Sequence, residues 1–234
     1  MKKLLSLSFA SLAFAAMAVD FSPSIGVQQF ESVATDSFLL PVKFDSLNAS
    51  AISPRELVAT NGLTVQSTWL YIFQNDAYTS WSLQPTGWEA AANAGDDELK
   101  PSPPDPTQTL AAGSAIWITG VRGKDVSIYG KVIVSKTSTI VRNKTNLLAN
   151  PTGAPVSGSD LMTKLAGVVQ AKDKISLIGD SFTGNYVYNG ESWNYINGTT
   201  VTPVETLPGL AANQGFWYVS KSELAEGKSN TIAW

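Results

Sequence analysis

The chain reads Leu110-Ala111-Ala112-Gly113-Ser114-Ala115-Ile116-Trp117-Ile118 in its first half and Leu210-Ala211-Ala212-Asn213-Gln214-Gly215-Phe216-Trp217-Tyr218 in its second. Further landmarks recur at a spacing of about 105 residues, well beyond the roughly 20–50 residues of solenoid and propeller repeats. They are Trp88 and Trp193, Asp76 and Asp180, Gly62 and Gly167, and Leu39-Leu40 and Leu147-Leu148. The spacing predicts a duplicated module. Because the recurring residues are mostly apolar or turn-forming, they predict architecture rather than chemistry.

A common order of elements is predicted for the two halves. Each begins with a strand, at 38–42 or 146–149, followed by a polar loop and a short helix. The strongest strands come next, at 68–73 and 174–178, where β-branched and aromatic residues are frequent. A hairpin, a variable loop and the strand that carries the repeated tryptophan complete each half.

The helix of the first half is predicted from its capping residues. Ser53-Pro54-Arg55-Glu56 has the serine and glutamate of a capping box with proline at the first helical position, and Gly62 fits the C-terminal cap. The helix of the second half is predicted to begin at Ser159-Asp160 and to end at Gly167. Long segments with helical periodicity are absent, so we expect helices only as short insertions.

A hairpin is predicted in each half. In the second half Asn189-Gly190 is the strongest two-residue hairpin signal, and counting across it places Tyr186 opposite Trp193. The same count in the first half places Trp81 opposite Trp88, across a loop that lacks the Asn-Gly pair.

The predicted fold class is mainly β, with short helical insertions. We expect two duplicated β-rich modules, packed as a pseudo-twofold pair or merged into one sandwich or barrel. The predicted divisions are a signal peptide at 1–18, an N-terminal leader or strand at 19–36, a first module at 37–120, a connecting β-hairpin at 121–145, a second module at 146–220 and a C-terminal segment at 221–234.

The N-terminus predicts export. Met1-Lys2-Lys3 is a short basic start, residues 4–16 are apolar, and Ala16-Met17-Ala18 is a cleavage site that places the mature start at Val19. We therefore expect a bacterial protein that is extracellular or at the cell surface, with no transmembrane segment in the mature chain. The net charge of −3 becomes more negative once the two lysines are removed, which argues against nucleic acid as a partner.

The composition limits the chemistry that is available for catalysis. The chain has no histidine and no cysteine, so Ser-His-Asp and Cys-His catalysis have no base. Ile178-Gly179-Asp180-Ser181-Phe182 resembles the nucleophile block of GDS-type esterases, but those enzymes need a histidine, so we interpret Asp180-Ser181 as a turn. We expect a protein that is not an enzyme. A glycan hydrolase that depends on two carboxylates stays an alternative, with Asp76, Glu89, Asp180 and Glu191 near aromatic residues.

Metal and cofactor sites are not predicted. The usual zinc, copper and haem ligands are missing, and we expect no cofactor and no metal. The acidic cluster Asp96-Asp97-Glu98 has oxygen ligands suited to calcium but lacks the spacing of a D-x-D-x-D-G loop. The sequence leaves open whether a calcium ion binds there.

The aromatic residues of the hairpins are the candidate ligand-binding residues. A ring that projects from a strand offers a flat surface on which a sugar ring stacks, and the candidates are Trp81, Trp88, Tyr186, Tyr188 and Trp193. The alternative is that these rings pack in a core or against a facing strand. Trp117 and Trp217 lie within apolar strands, and we expect them in the core.

The second half resembles one group of bacterial proteins. Ile175-Ser176-Leu177 through Asp180, the Tyr186-Val187-Tyr188 and Asn189-Gly190 hairpin with Trp193, and Pro208-Gly209 followed by Gly215-Phe216-Trp217-Tyr218 carry the likeness. In this order the segment is similar to uncharacterised secreted β-repeat proteins of Verrucomicrobia-type bacteria. The likeness covers about 45 residues, and it departs where Leu210 to Gln214 separates Pro-Gly from Gly-Phe. It implies an extracellular β protein and brings no catalytic residues.

We therefore expect a non-enzymatic structural or adhesive protein of the cell surface, one that self-assembles. Its expected partners are copies of itself or other surface proteins, and glycans. Residues 19–36 are a candidate for pairing with the sheet edge of another subunit, or else form a leader or an internal strand. The alternative function is a carbohydrate-binding module that uses the hairpin aromatics.

Overall fold

A computed structural model describes residues 25–47, 52–74, 76–90, 108–110, 113–132, 136–177, 184–212 and 214–234. The strands of the first half are β1 (Ile25–Phe30), β2 (Ser37–Pro41), β3 (Phe44–Asp45), β4 (Trp69–Gln74), β5 (Ala77–Gln84), β6 (Gly87–Ala90), β7 (Ala115–Thr119) and β8 (Val126–Val132). Those of the second half are β9 (Thr137–Thr139), β10 (Thr145–Ala149), β11 (Lys174–Leu177), β12 (Gly184–Tyr188), β13 (Trp193–Asn197), β14 (Thr200–Pro203), β15 (Gly215–Val219) and β16 (Thr231–Ala233). The helices are α1 (Pro54–Leu57) and α2 (Gly158–Ala166).

The protein is mainly β, which confirms the predicted class. Its described strands form four antiparallel sheets, and the two described helices are short. The first half has a five-stranded sheet in the order β2-β7-β4-β5-β6 and a three-stranded sheet in the order β1-β8-β3. The second half has a six-stranded sheet in the order β10-β15-β11-β12-β13-β14 and a two-stranded sheet of β9 and β16.

The two large sheets share their strand order and their register. Leu39 of β2 lies opposite Trp117 of β7, and Leu147 of β10 lies opposite Trp217 of β15. The second sheet then adds β14 at its far edge. The shared order is what a duplicated module requires, and descent of both halves from one module stays a hypothesis.

Each half has its own hydrophobic core. In the first, alternate residues of β4 and β7 point inward, among them Leu70, Ile72, Ile116 and Ile118. The second core includes Ile175, Phe216 and Tyr218 from the sheet, together with Leu161 and Leu165 from α2. These two positions are four residues apart and therefore lie on one face of the helix.

The helices begin close to the predicted residues, but their caps differ. Ser53 precedes α1 without a side-chain cap bond, and the Glu56 carboxylate instead accepts a hydrogen bond from Ser46 Oγ at 2.7 Å. The N-cap of α2 is Ser157, two residues before the predicted start, and its Oγ accepts a hydrogen bond from the backbone N of Asp160 at 3.1 Å. Gly167 is the C-cap of α2, as predicted, but the C-cap of α1 is Val58 and not the predicted Gly62, because α1 ends at Leu57.

Both hairpin registers were predicted wrongly, each by two residues. Trp193 lies opposite Tyr188 instead of Tyr186, because residues 189–192 form a four-residue loop in which Asn189 N donates to Ser192 O. In the first half Trp88 lies opposite Leu83 instead of Trp81, because the two-residue turn falls one position later. A shift of two residues keeps each side chain on its predicted face.

The predicted connecting hairpin at 121–145 is also wrong. Its two strands do not pair with each other in the described structure, because β8 lies between β1 and β3 while β9 pairs with β16. The segment 121–145 therefore belongs to both halves. In the predicted leader at 19–36, residues 25–30 form β1, which pairs with β8 of the same chain at the edge of the three-stranded sheet.

A third, small cluster joins the halves where the outer faces of the large sheets meet. Leu39, Phe73 and Ala115 of the first half pack there with Leu147, Ala149 and Trp217 of the second. The rings of Phe73 and Trp217 meet edge to face with centroids 4.9 Å apart. The backbone N of Ala149 donates to Gly113 O at 3.0 Å. The halves are thus two cores in contact through a narrow apolar patch.

The repeated tryptophans are not in the main cores, which corrects the prediction. Trp117 and Trp217 are both half-buried, and they lie on the outer faces of their sheets because their neighbours in sequence point inward. Trp217 contributes to the contact between the halves, whereas Trp117 lies further along the outer face of the first sheet.

Candidate functional site

The tryptophans predicted to bind ligand are buried. Trp81 is 0 % exposed, and its indole Nε1 donates to Gln108 Oε1 at 3.2 Å. Trp88 is 3 % exposed, and its Nε1 donates to Val58 O at 3.0 Å. Burial together with a satisfied N–H supports the packing alternative for both rings.

The aromatic residues of the second hairpin lie together on the inner face of their sheet. Tyr188 and Trp193 have ring centroids 5.4 Å apart, and so do Tyr186 and Tyr195. Trp193 and Tyr186 are buried, while Tyr188 is half-buried against the same core. The five predicted residues are therefore divided between two cores and form no common surface.

A different set of aromatic residues lies on the outer face of the first sheet. Trp69 and Tyr71 of β4 point away from the core, and Tyr71 lies directly opposite Trp117 of β7. All three rings are half-buried, so part of each remains accessible. We call these three residues the aromatic row. The alternation of aromatic residues with Leu70 and Ile72 was visible in the sequence, but it does not show which face is covered.

Polar side chains flank the aromatic row on the neighbouring strand. Ser80 lies opposite Tyr71 and Ser82 lies opposite Trp69, on the same face. Gln84 Nε2 donates to Ser82 Oγ at 2.9 Å. Glu89, which is exposed on β6, lies opposite Ser82. Ser80 and Ser82 are buried, so the polar groups that remain accessible beside the rings are the Gln84 amide and the Glu89 carboxylate.

The equivalent face of the second sheet lacks this arrangement. Register places Lys174 where the first sheet has Trp69, because both lie opposite the last residue of the repeated strand. Ser176 takes the place of Tyr71, opposite Trp217. The inward-facing residues are apolar in both sheets, whereas the aromatic residues of the outer face occur only in the first. The shared strand order therefore depends on the inner faces and not on the aromatic row.

A cavity of about 510 Å³ lies between the halves. Its described lining carries no charge and mixes apolar groups with hydroxyls and amides, including Phe73, Gln74, Thr145, Asn146 and Leu147. The ion pair between Asp76 and Lys144 also joins the halves, with 2.8 Å between Lys144 Nζ and Asp76 Oδ2. This lysine and the backbone N of Thr145 lower the pKa of the Asp76 carboxyl.

The described carboxylates that were candidates for glycan hydrolysis each have a different environment. Asp76 contacts Lys144, Glu89 accepts a hydrogen bond from Thr86, and Glu191 is exposed in the hairpin loop. Within the described ranges, no group of three acidic residues is placed to hold a metal ion. Asp180, Ser181 and the Asp96-Asp97-Glu98 cluster lie outside the described residues, as does the signal peptide.

Asp173 is the centre of a buried polar network in the second half. Its carboxylate accepts hydrogen bonds from Arg142 Nη1 at 3.1 Å and from Tyr218 Oη at 2.6 Å. Arg142 Nη2 also donates to the backbone oxygens of Val168 and Ser229. The network ties the end of α2 and the C-terminal segment to the sheet.

Comparison of the chain with protein families, curated proteins and solved structures found no match. The resemblance to Verrucomicrobia-type secreted proteins stays a hypothesis. Neither described helix has the length and apolar character that a membrane-spanning helix needs.

Proposed function

We propose that the chain is an extracellular, non-catalytic adhesive or structural protein that binds carbohydrate through the aromatic row. The observation that supports this proposal is the difference between the two equivalent sheet faces. Three accessible rings lie on the first, and the second has Lys174 and Ser176 at two of the matched positions. Aromatic residues that the fold does not require, on an accessible face, indicate binding.

The chemistry of the face suits a sugar polymer. Pyranose rings present apolar C–H faces to aromatic rings, and their hydroxyls both donate and accept hydrogen bonds. Successive same-face residues of a strand are about 7 Å apart and neighbouring strands are about 5 Å apart, so the aromatic row has room for a short stretch of chain. Glu89, which is exposed on β6, supplies a polar partner, whereas Ser80 and Ser82 are each only 5 % exposed.

The test exchanges the residues of one sheet for those of the other. The double variant Trp69→Lys, Tyr71→Ser takes the residues that the second sheet tolerates at the same register, so the fold is expected to persist. Val201→Ser changes an exposed side chain of β14, away from both the aromatic row and β1, and is the control. Circular dichroism checks that each variant is folded.

Binding is measured by sedimentation of the exported protein with insoluble cellulose, chitin, xylan and β-1,3-glucan. We expect at least one polymer to retain the wild type and Val201→Ser, and the double variant to bind it about tenfold more weakly, a loss of about 1.4 kcal/mol. Equal retention of the double variant, or no retention of the wild type on any polymer, would contradict the proposal. Release of reducing sugar would contradict its non-catalytic part.

A further inference from the structure

In the described part of the chain, β1 lies at the edge of its sheet. It pairs with β8 on one side, and no described strand pairs with its other side. The backbone groups on the free edge of a strand are the template on which a further strand adds.

The side chains of β1 do not protect this edge. Its sequence Ile-Gly-Val-Gln-Gln-Phe has neither charge nor proline. Ile25 is 64 % exposed and Val27 is 68 % exposed, the highest values for large hydrophobic side chains in the described part of the chain. Both lie on one face, beside half-buried Tyr129, which is opposite Val27.

The other sheet edges are shorter, carry a blocking residue or lie at the contact between the halves. Among the described strands, β14 contains Pro203 and β6 contains Glu89, residues that discourage further pairing. Strands β3, β9 and β16 have two or three residues each. Strands β2 and β10 contribute Leu39, Leu147 and Ala149 to the patch between the halves. Only β1 combines length, exposure and an uncharged edge within the described structure.

We propose that two copies of this chain associate through antiparallel pairing of β1 with β1 about a twofold axis. An antiparallel edge is self-complementary, so a second copy satisfies the backbone groups of the first without any other partner. A twofold axis at Val27 places Val27 opposite Val27 and Ile25 opposite Gln29. The two three-stranded sheets then become one continuous sheet, with the Val27 side chains in contact.

The pairing goes beyond the proposed carbohydrate binding and does not depend on it. A dimer presents two aromatic rows, and a polymer that reaches both is held more tightly than by one. Since association is measured without carbohydrate, failure of one proposal leaves the other standing.

The first test places a lysine on the edge. Val27→Lys is expected to weaken association at least tenfold, since an edge lysine blocks strand pairing. Val201→Lys makes the same change at a residue of β14 that is 57 % exposed and is expected to leave association unchanged. Sedimentation equilibrium of the exported protein covers about 1–200 µM, because an interface of one strand is smaller than the standard 800 Å² per partner.

A wild type that stays monomeric throughout this range overturns the proposal, and so does a folded Val27→Lys variant that associates as the wild type does. Thermal unfolding establishes whether the variant is folded.

The second test does not depend on the behaviour of a lysine. The chain has no cysteine, so a single introduced cysteine can form a disulfide only with the same cysteine of a second molecule. Facing residues of antiparallel strands have Cβ atoms about 5 Å apart, close to disulfide range. Under mild oxidation we expect Val27→Cys, which faces itself in this register, to form dimers at least tenfold faster than Ile25→Cys or Val201→Cys. Equal rates for all three variants would overturn the pairing.

Discussion

Asp173 shows how a single residue holds distant segments of the second half. It is fully buried, and besides the bonds from Arg142 and Tyr218 its carboxylate accepts hydrogen bonds from the backbone N of Gln170 and of Lys221. A buried carboxylate is tolerated because each oxygen has donors and a guanidinium balances its charge. The Asp173 carboxylate therefore stabilises the fold. Its negative charge balances the Arg142 guanidinium, and its two oxygens accept the hydrogen bonds of the surrounding donors.

Asp173→Asn is expected to lower the free energy of unfolding by about 3–5 kcal/mol, because it leaves the buried Arg142 unpaired. Tyr218→Phe removes one hydrogen bond to a charged group and is expected to cost about 1.5–3 kcal/mol. Urea unfolding measures both. A loss below about 1 kcal/mol for Asp173→Asn would show that the network does not stabilise the fold.

The free energy of unfolding is expected to rise between about pH 8 and pH 10 and to fall above about pH 10. Burial and the Asp173 carboxylate raise the pKa of Tyr218, and burial raises the pKa of Tyr78 and Tyr186. Unfolded tyrosines ionise at about pH 10, so the unfolded state loses protons first and stability falls above that pH. Burial and the charge of Lys136 lower the pKa of Lys43 to about 8, so stability rises from pH 8 towards the ordinary lysine value.

Urea midpoints between about pH 7 and pH 11.5 measure this profile. Tyr218→Phe is expected to reduce the decline in the free energy of unfolding above about pH 10. Lys43→Met is expected to reduce the rise in the free energy of unfolding between about pH 8 and pH 10. Constant stability between about pH 10 and pH 11.5 would contradict the assignment to Tyr78, Tyr186 and Tyr218.

For single residues, the sequence indicated which side chains of a strand lie on the same face, but not which of the two faces of the sheet is buried. Trp69-Leu70-Tyr71-Ile72 is apolar on both faces, and only tertiary contacts select Leu70 and Ile72 as the core. The buried hairpin aromatics were predicted as candidate ligand contacts for the same reason.

Among the elements, α2 depends on close approach at its first turn. A Cβ on Gly158 would lie 1.7 Å from Leu207 O, a backbone atom that cannot move aside. At the other end, a Cβ on Gly167 would meet nothing within 4 Å, and its φ of −73° suits any residue. The two glycines therefore have different reasons to be present.

Gly158→Ala is expected to destabilise the protein by about 1–3 kcal/mol or more, because the new methyl overlaps the backbone of the neighbouring loop. Gly167→Ala is expected to be neutral or to stabilise by up to about 1 kcal/mol, since it reduces the freedom of the unfolded chain. Thermal and urea unfolding compare them. Equal effects would show that the loop at Leu207 yields to the added methyl.

The elements themselves were largely predictable, while their turns were not. Asn189 Oδ1 accepts hydrogen bonds from the backbone N of Glu191 and of Ser192, at 2.9 and 2.8 Å. These bonds stabilise a four-residue loop in place of the expected Asn-Gly turn. The side chain of Asn189 competes with the backbone turn, and the dipeptide alone does not reveal which one wins.

Across the whole molecule, the two cores are separate and meet through a small cluster. The pairing of β1 with β8 and of β9 with β16 joins residues far apart in sequence, which local patterns do not predict. The equivalent tryptophans illustrate the asymmetry of the contact, because Trp217 packs on Phe73 across it and Trp117 does not take part in the cluster.

Trp217→Ala is expected to separate thermal unfolding into two transitions, because it removes the largest side chain of the contact between the halves. Trp117→Ala, at the matched position, is expected to retain a single transition and to lose carbohydrate binding. Differential scanning calorimetry and polymer sedimentation distinguish them. A single transition in both variants would show that the remaining contacts couple the cores.

The strands through which the chain enters and leaves the fold determine how the molecule responds to a mechanical load. Strand β1 pairs with β8 over six residue pairs, whereas β16 pairs with β9 over only three. A pull on the C-terminal end acts first on this short ladder, and Ile232 of β16 is fully buried in the second core. We therefore expect tension to detach β16 and open the second core before it loads the contact between the halves.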